Sequence, residues 1–162
     1  MKIIVERAVQ DDAEAVADLM EELDAFYGAP PTEPRQQRVD TIRRLVLTGH
    51  PSPAVILARD GDELVGMASY SFLWPAAGVT QSLFLKELYV RETARRRGVG
   101  GLLMQRLHTI AAEAGCSRIE WTTEIDNESA RHFYAAQGYT IHEGKIIYRV
   151  EGRPAGRSST GR

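Results

Sequence analysis

Residues 95–103 read RRRGVGGLL; they follow an apolar, strand-like run and open a helix-like run. Glycines at the start of a helix let the backbone approach a ligand closely and adopt angles that other residues resist. The first N–H groups of a helix have no partner within it, and the helix dipole adds partial positive charge there. Three arginines beside the turn increase the positive potential. The stretch therefore predicts a site for an anion with several oxygens, such as a phosphate or pyrophosphate.

Two well-known phosphate-binding loops do not fit this spacing. A Walker loop needs Lys and then Ser or Thr after its last glycine, whereas Gly101 is followed by Leu102 and Leu103. A dinucleotide-binding fingerprint fails as well, because its third glycine would fall on Leu103. The pattern that remains is Arg95-x-x-Gly98-x-Gly100, and its alternative interpretation is a basic helix start exposed to solvent.

A second pattern lies thirty residues further along the chain, where residues 127–139 read NESARHFYAAQGY. In their order and spacing, the two patterns together resemble the signatures of the GNAT superfamily of acetyl-CoA-dependent N-acetyltransferases. The runs YSFLWP at residues 70–75 and LKELYV at residues 85–90 are similar to those of the spermidine/spermine (diamine) acetyltransferase-like group. The resemblance covers residues 64–138. It implies an α/β GNAT fold with a mixed, mostly antiparallel central sheet and helices on both faces.

Composition limits the class of protein. The chain has 162 residues and a formal net charge of −2, which predicts one domain over residues 1–150, a flexible tail at 151–162, and no general nucleic-acid binding. Cys116 is the single cysteine and fits a reducing compartment. No apolar run is long enough to span a membrane, and the four histidines show no metal-ligand spacing. We therefore expect a cytoplasmic protein without a membrane partner or a metal.

Apolar periodicity and turn residues predict the order of the elements. The pattern predicts a strand at residues 2–9, helices at about 12–27 and 35–48, a hairpin with strands at 54–59 and 63–72, a central strand at 83–90, a helix from about 98 to 114, a strand at 118–123, a helix after Asn127, and a last strand at 145–150.

The resemblance implies that acetyl-CoA binds along the central strand and the turn that follows it. The backbone of Leu88 and Val90 is expected to pair with the pantetheine arm as another strand would. Asn127 is expected to hydrogen-bond that arm, and it also fits a helix cap, which would leave its amide nitrogen free. The residues expected to bind the pyrophosphate are Arg95, Arg96, Arg97, Gly98, Val99, Gly100 and Gly101.

The chemistry that the resemblance implies needs a proton acceptor and a proton donor. A primary amine has a pKa of ~10.4 and arrives protonated, whereas a thiol such as the leaving group has a pKa of ~8.5. Glu87 is the candidate base, with a strand-end salt bridge as the alternative. Tyr134 is the candidate acid, with a core aromatic as the alternative, and it is expected near the sulfur of the coenzyme. The amide of Leu88 is the candidate donor to the oxyanion.

The candidate substrate-binding residues lie before and within the central strand. Lys86 stands where the polyamine enzymes, as we align them, carry an acidic residue. A lysine there would repel a polycation or attract a carboxylate, so our hypothesis is a small amine such as a zwitterionic diamino acid. The pocket is expected between the loops at residues 29–34 and 74–78, lined by Tyr27, Glu33, Tyr70 and Trp74 with Lys86 and Glu87. Each of the first four lining residues also fits an ordinary helix-end or loop position.

These observations predict an N-acetyltransferase that moves the acetyl group of acetyl-CoA to a primary amine of a small molecule, by direct attack in a ternary complex. One alternative is a protein acetyltransferase that acts on a lysine or an N-terminus. Another is a coenzyme A-binding module without catalytic activity. A homodimer is expected by analogy with the family alone.

Overall fold

The computed structural model describes residues 2–28, 33–45, 47, 53–77 and 80–152. The chain divides into two compact units, Met1–Glu124 and Ile125–Arg162. The expectation of one domain over residues 1–150 stays a prediction. The expected tail falls largely outside the described residues, and so do residues 29–32 and 78–79 of the two expected substrate loops.

Within the described residues, the first unit contains one sheet and three α-helices, and the second contains one α-helix. Two short 3₁₀ helices lie at Gln10–Asp12 and Glu92–Ala94. The strands are β1 (Ile3–Arg7), β2 (Ala54–Asp60), β3 (Glu63–Leu73), β4 (Gln81–Val90) and β5 (Cys116–Trp121), and the helices are α1 (Ala13–Phe26), α2 (Arg35–Leu45), α3 (Val99–Glu113) and α4 (Glu128–Ala136).

The five strands form a mixed sheet in the order in which they follow one another along the chain. The first three pairings are antiparallel, and β4 and β5 are parallel because α3 connects them as a crossover. The predicted hairpin turn joins β2 to β3 at Gly61, whose φ of 60° suits a two-residue loop. This arrangement confirms the predicted fold class.

Helices cover both faces of the sheet in the first unit. On one face, Val16, Leu19 and Leu23 of α1 belong to a buried cluster with Val39 of α2 and Tyr89 of β4. The other face carries α3, whose Leu103, Met104 and Leu107 are at most 1% exposed. Phe26 and Tyr27 lie at the end of α1, outside this cluster, and both are more than half exposed.

Gly66 on β3 sets how closely α3 packs against the sheet. A Cβ at this position would lie 2.9 Å from the carbonyl oxygen of Tyr89 and 3.4 Å from side-chain atoms of Val99 and Leu103. Gly66 is also the cross-strand partner of Val90 at the end of β4. Because Gly66 has no side chain, the first turn of α3 can lie against the sheet close to the end of β4.

The predicted strand at residues 145–150 is wrong. Among the described residues that follow Trp121, none belongs to a strand. The segment is rich in β-branched residues, but strand propensity reflects packing on a sheet surface rather than a property of the backbone alone. A strand forms only where its backbone groups find a partner, and here Ile146, Tyr148 and Val150 are at least 77% exposed.

Candidate functional site

The β4 strand changes its pairing halfway along its length. Its first half, residues 81–85, pairs with β5 on one side and β3 on the other. Ser69 pairs with Glu87 and Tyr70 pairs with Leu85, so Lys86 is an extra residue that forms a β-bulge. After the bulge, β4 continues beside β3 alone within the described part of the chain. Residues 86–90 therefore have no neighbouring strand on the side away from β3, although β4 is not the last strand of the sheet. We call this unpaired side the open edge of β4.

The hydrogen-bonding groups of Leu88 and Val90 point into this open edge. The N–H of Arg91 donates to the carbonyl of Val65 on β3 at 2.9 Å, which fixes the register of the ladder. In an antiparallel ladder, alternate residues direct both backbone groups to the same neighbour. Arg91 and Tyr89 therefore face β3, and Leu88 and Val90 face away from it. An extended ligand with amide groups would find the pairing of a strand there.

The predicted anion-binding turn lies at the start of α3. Gly98 is the N-cap residue, with φ of 82° and no side chain that caps the helix, and the helix starts at Val99. Leu102 donates to the carbonyl of Gly98 at 3.1 Å, so the amides of the first turn before it have no partner within the helix. A Cβ at Gly98 would meet no atom within 4 Å. The space next to these amides is open to an anion.

The three arginines of the turn have different surroundings. Arg97 forms an ion pair with Asp60 of the β2–β3 hairpin at 2.9 Å. The Nε of Arg95 donates to the carbonyl of Val90 at 3.0 Å. Arg96 has φ of 60° and is exposed, and no described residue pairs with its guanidinium. Arg96 is thus the arginine best placed to add positive charge for a phosphate.

Glu87 lies on the face of β4 that carries α1 and α2. It is two residues from Tyr89, so the two side chains share a face, and Tyr89 belongs to the core beneath those helices. Burial raises the pKa of the Glu87 carboxyl above its ordinary value; Lys86 opposes the shift and Asp24 adds to it. A carboxyl with a raised pKa is a better proton acceptor than an exposed one.

Tyr27 lies near Glu87 at the end of α1. Burial raises the pKa of its phenol, and the negative charges of Glu87 and Glu124 raise it further. The phenol is therefore neutral at physiological pH, and it can donate a hydrogen bond. Tyr27 follows α1, Glu87 lies on β4 and Glu124 follows β5, and the structure brings these three residues of the first unit together.

Arg38 holds the neighbouring part of this surface. It is nearly buried on α2 and bridges Asp24 of α1 at 2.8 Å and Glu33 at 2.6 Å. Its Nη1 is buried without a hydrogen-bond partner among the described residues. Two carboxylates outweigh its single charge, so this ion-pair group is itself negative.

Tyr70 and Trp74, the other candidate pocket residues, lie elsewhere in the first unit. Tyr70 is 6% exposed; burial raises the pKa of its phenol, and Arg7 and Arg106 oppose the shift. Arg106 belongs to α3, so Tyr70 faces the opposite side of the sheet from Glu87. Trp74 is 70% exposed and follows the end of β3, where β4 begins. The structure brings Tyr27, Glu33 and Glu87 into one region and does not bring these two there.

The second unit carries Asn127 and Tyr134. The side-chain oxygen of Asn127 accepts a hydrogen bond from the N–H of Ala130 at 3.1 Å, so it caps α4 as predicted. This bond leaves the amide nitrogen of Asn127 as a donor. Tyr134 lies in the middle of α4, and its ring contacts those of Phe133 and Tyr139 edge to face. The roles of both residues toward a ligand stay predictions.

Sequence reasoning misses several residues of these sites. Asp24 lies three residues before Tyr27, and helical spacing would have placed both on one face of α1. Arg38 and Glu124 carry no pattern that distinguishes them from surface charges.

Among the described side chains, no group of three potential ligands could hold a metal ion. None of the described helices is long and apolar enough to cross a bilayer.

Comparison with known proteins gives consistent results. The Acetyltransferase (GNAT) family profile matches residues 16–139. An uncharacterized N-acetyltransferase of Bacillus subtilis, YhfO, is 26% identical over 89% of this chain and 94% of its own length. A thialysine N-epsilon-acetyltransferase of Caenorhabditis elegans is 30% identical over 57% of this chain and 59% of its own. An integron cassette protein of Vibrio cholerae has a solved structure with a TM-score of 0.84, 30% identity and 94% coverage of both chains.

The start of α3 can be tested with two matched glycines. Gly98 and Gly115 both have positive φ and open space where a Cβ would lie, so alanine at either position should cost a similar ~1 kcal/mol of folding free energy. Gly98→Ala should weaken coenzyme A binding at least about tenfold by calorimetry, because its methyl group occupies the approach to the amides. Gly115→Ala should leave the affinity unchanged. Equal affinities in the two variants would contradict an anion site at this turn.

The raised pKa of Glu87 predicts that the difference in stability between the parent protein and a Glu87→Gln variant depends on pH. Its raised pKa means that the folded protein binds this proton more tightly than the unfolded chain, whose Glu pKa is about 4.3. Stability is therefore lost as Glu87 ionises with rising pH. The free energy of unfolding of Glu87→Gln relative to the parent should increase between about pH 4 and pH 8 in urea titrations. Glu113→Gln, at an exposed position of α3, controls for net charge; parallel curves for Glu87→Gln would reject the prediction.

Proposed function

This chain belongs to the acetyltransferase (GNAT) family, and on that premise we propose that its acceptor is the primary amine of a small molecule. The enzyme is an acetyl-CoA-dependent N-acetyltransferase. The amine attacks directly while both reactants are bound. The open edge of β4, which Gly66 holds close to the uncapped start of α3, carries the coenzyme part of this proposal. The negative charge around Glu87 carries the acceptor part.

The residues present fit coenzyme A. The amides of Val99, Gly100 and Gly101 would hold the pyrophosphate, since they are free of helical partners and no side chain blocks Gly98. Leu88 offers a backbone donor and an acceptor and Val90 offers its N–H at strand spacing, which suits the amides of a pantetheine arm; the carbonyl of Val90 already accepts from the Nε of Arg95. Acetyl-CoA, when bound, supplies the acyl carbon and a thiolate leaving group.

Three groups of this chain move or stabilise charge in the proposed reaction. Glu87 accepts the proton of the ammonium group of the acceptor, directly or through water, and its raised pKa suits that role. The N–H of Leu88 faces the open edge and can donate to the carbonyl oxygen of the acetyl group. Tyr134 donates its phenolic proton to the departing sulfur. Its position in the family signature supports this last assignment.

The charges around Glu87 support a cationic acceptor. Four carboxylates interact in this region, Asp24, Glu33, Glu87 and Glu124, against the two cations Arg38 and Lys86. The excess is negative, and Arg38 already satisfies two of the carboxylates. An amine without a carboxylate is therefore favoured over a zwitterion, although Lys86 alone suggests the reverse. The match to the relative named for thialysine acetylation covers just over half of this chain. That relative's name is therefore weaker evidence about the acceptor than these charges.

We propose a homodimer and a cytoplasmic location as well. The segment from Ile146 to Val150 presents four exposed apolar side chains, those of Ile146, Ile147, Tyr148 and Val150. Exposed apolar groups of this kind mark interaction surfaces, and a second copy of the chain is the proposed partner. Light scattering at increasing concentration should show a dimer, and a monomer at every concentration would contradict the proposed dimer.

The proposed cytoplasmic location rests on the unpaired Cys116, which is typical of a reducing compartment.

Pairs of amines that differ by one carboxylate test the acceptor. Cadaverine is lysine without its carboxylate, and putrescine stands in the same relation to ornithine. We expect thiol release to give a higher kcat/KM for the decarboxylated member of each pair, by about tenfold or more for one unfavourable charge contact. A higher value for lysine and ornithine would restore the zwitterion hypothesis. Activity confined to peptides would instead favour a protein acetyltransferase.

Replacement of Tyr134 separates catalysis from coenzyme binding. Tyr134→Phe should lower kcat by roughly 10²–10⁴ because the proton donor is lost, with the affinity for acetyl-CoA little changed. Tyr139→Phe removes a hydroxyl from the ring that contacts Tyr134 and serves as the matched control. Unchanged turnover in Tyr134→Phe would remove this residue from the mechanism. Binding of coenzyme A without any turnover in the parent protein would instead indicate a non-catalytic module.

A further inference from the structure

The side chain of Arg95 turns back from the anion-binding turn toward α1. Its Nε donates to the carbonyl of Val90, and its guanidinium lies 5.1 Å from the ring centroid of Phe26 and 6.0 Å from that of Tyr89. Both distances are within the range of a cation–π contact. Arg95 therefore joins three elements: the end of β4, the last residue of α1 and the turn before α3.

The residue after Phe26 connects this contact to the acceptor side. Tyr27 packs its ring edge to face on Phe26 at 5.2 Å, and its phenol interacts with the charge of Glu87. On the other side of Phe26 lies a groove of about 720 Å³, which separates the end of α1 from residues 91–95. The guanidinium of Arg95 contacts Phe26 across this groove, and the ion pair between Arg91 and Glu22 crosses it one turn earlier on α1.

We propose that Arg95 is a positioning residue that links the coenzyme turn to the acceptor side, rather than a ligand of the pyrophosphate. When coenzyme A orders the turn, Arg95 holds Phe26 and thereby fixes Tyr27 next to Glu87. The proposal rests on the coenzyme site described above, but the link itself is a property of the free protein. It divides the arginines by role: Arg95 positions α1, Arg97 ties the turn to Asp60, and Arg96 remains to contact phosphate.

A second ion-pair group stabilises the β4 end of the link. Tyr89 donates its hydroxyl to Glu22 at 3.1 Å, and Arg91 pairs with the same carboxylate at 3.0 Å. The ring of Tyr89 is thereby fixed beneath the guanidinium of Arg95. Glu22 is itself a residue of α1, so these bonds also hold that helix one turn before its end. Phe26 lies beyond them, as the last residue of α1 and at the surface. Loss of Arg95 should therefore loosen the last turn of α1 after Glu22 rather than β4.

Hydrogen exchange followed by mass spectrometry tests the link without a known acceptor. In the absence of coenzyme, Arg95→Met should speed exchange of the peptide that covers residues 20–28 about fivefold to tenfold, the loss expected for one cation–π contact and its hydrogen bond. Phe26→Leu should have the same effect, and the double variant should be no faster than the faster single one. Arg95→Lys, which keeps a cation over the ring, should be intermediate. A peptide within residues 103–111 of the α3 core should be unchanged and reports global unfolding.

Coenzyme A binding distinguishes the two possible roles of Arg95. The proposal expects calorimetric affinity within about threefold of the parent for Arg95→Met, and a loss of about tenfold with a reduced salt dependence for Arg96→Met, as for a phosphate contact. At saturation, coenzyme A should slow exchange at the end of α1 in the parent and in Arg96→Met, and not in Arg95→Met. The opposite result would be a coenzyme-free Arg95→Met variant that exchanges the end of α1 at the parent rate and loses affinity for coenzyme A in a salt-sensitive way. It would show that Arg95 binds phosphate and would overturn the proposal. If the parent failed to bind coenzyme A, the proposed coenzyme site would be wrong. The exchange rates of the coenzyme-free variants would still show whether Arg95 holds the end of α1.

Discussion

The open edge of β4 is the constraint on which the rest of this structure depends. Backbone N–H and C=O groups need partners, and a strand that loses its neighbour within a sheet exposes a row of them. The bulge at Lys86 is the point at which β4 passes from two neighbours to one. Proteins usually cover such edges to prevent aggregation. This one leaves the edge open within the described chain, next to a helix start that favours an anion, and we propose that both features serve one extended, phosphate-bearing ligand.

The same region contains features that lower the stability of the fold, as our proposed site requires. Glu87 is half buried on β4, and burial disfavours its ionised form. Gly66 packs so tightly that a methyl group would collide with the backbone of β4, which fixes the start of α3 relative to the open edge. A rigid scaffold thus holds a carboxyl group and a set of free amides that would be unfavourable in a protein without a ligand. Functional sites commonly accept such local costs.

Much of the fold can be read from the sequence, because its signals are local. The glycines of the turn, the hairpin at Gly61 and the cap at Asn127 each place a residue type where backbone geometry requires it, and the structure shows all three. The bulge at Lys86 is different. Nothing in the run LKELYV marks it, since a bulge is decided by the register between two strands rather than by the residues of one.

The failures of sequence reasoning share one cause, which is dependence on distant partners. Arg38 pairs with Asp24 and Arg95 contacts Phe26, both on α1, and no spacing rule connects these residues. Strand propensity at residues 145–150 could not show whether a neighbouring strand is present. Tyr70 resembles a pocket residue by its position in a run similar to that of the diamine enzymes, yet strand alternation places it on the opposite face from Glu87. These questions are decided by tertiary structure.

Residue-resolved amide exchange by NMR, with and without coenzyme A, tests the central claim most directly. The amides of Leu88 and Val90 face the open edge, whereas Tyr89 between them already bonds to β3 and is an internal control. Our account predicts that coenzyme A slows exchange at Leu88, Val90 and the first turn of α3 by at least about tenfold, with a smaller effect at Tyr89. Saturating coenzyme A that left Leu88 and Val90 as exposed as before would contradict it.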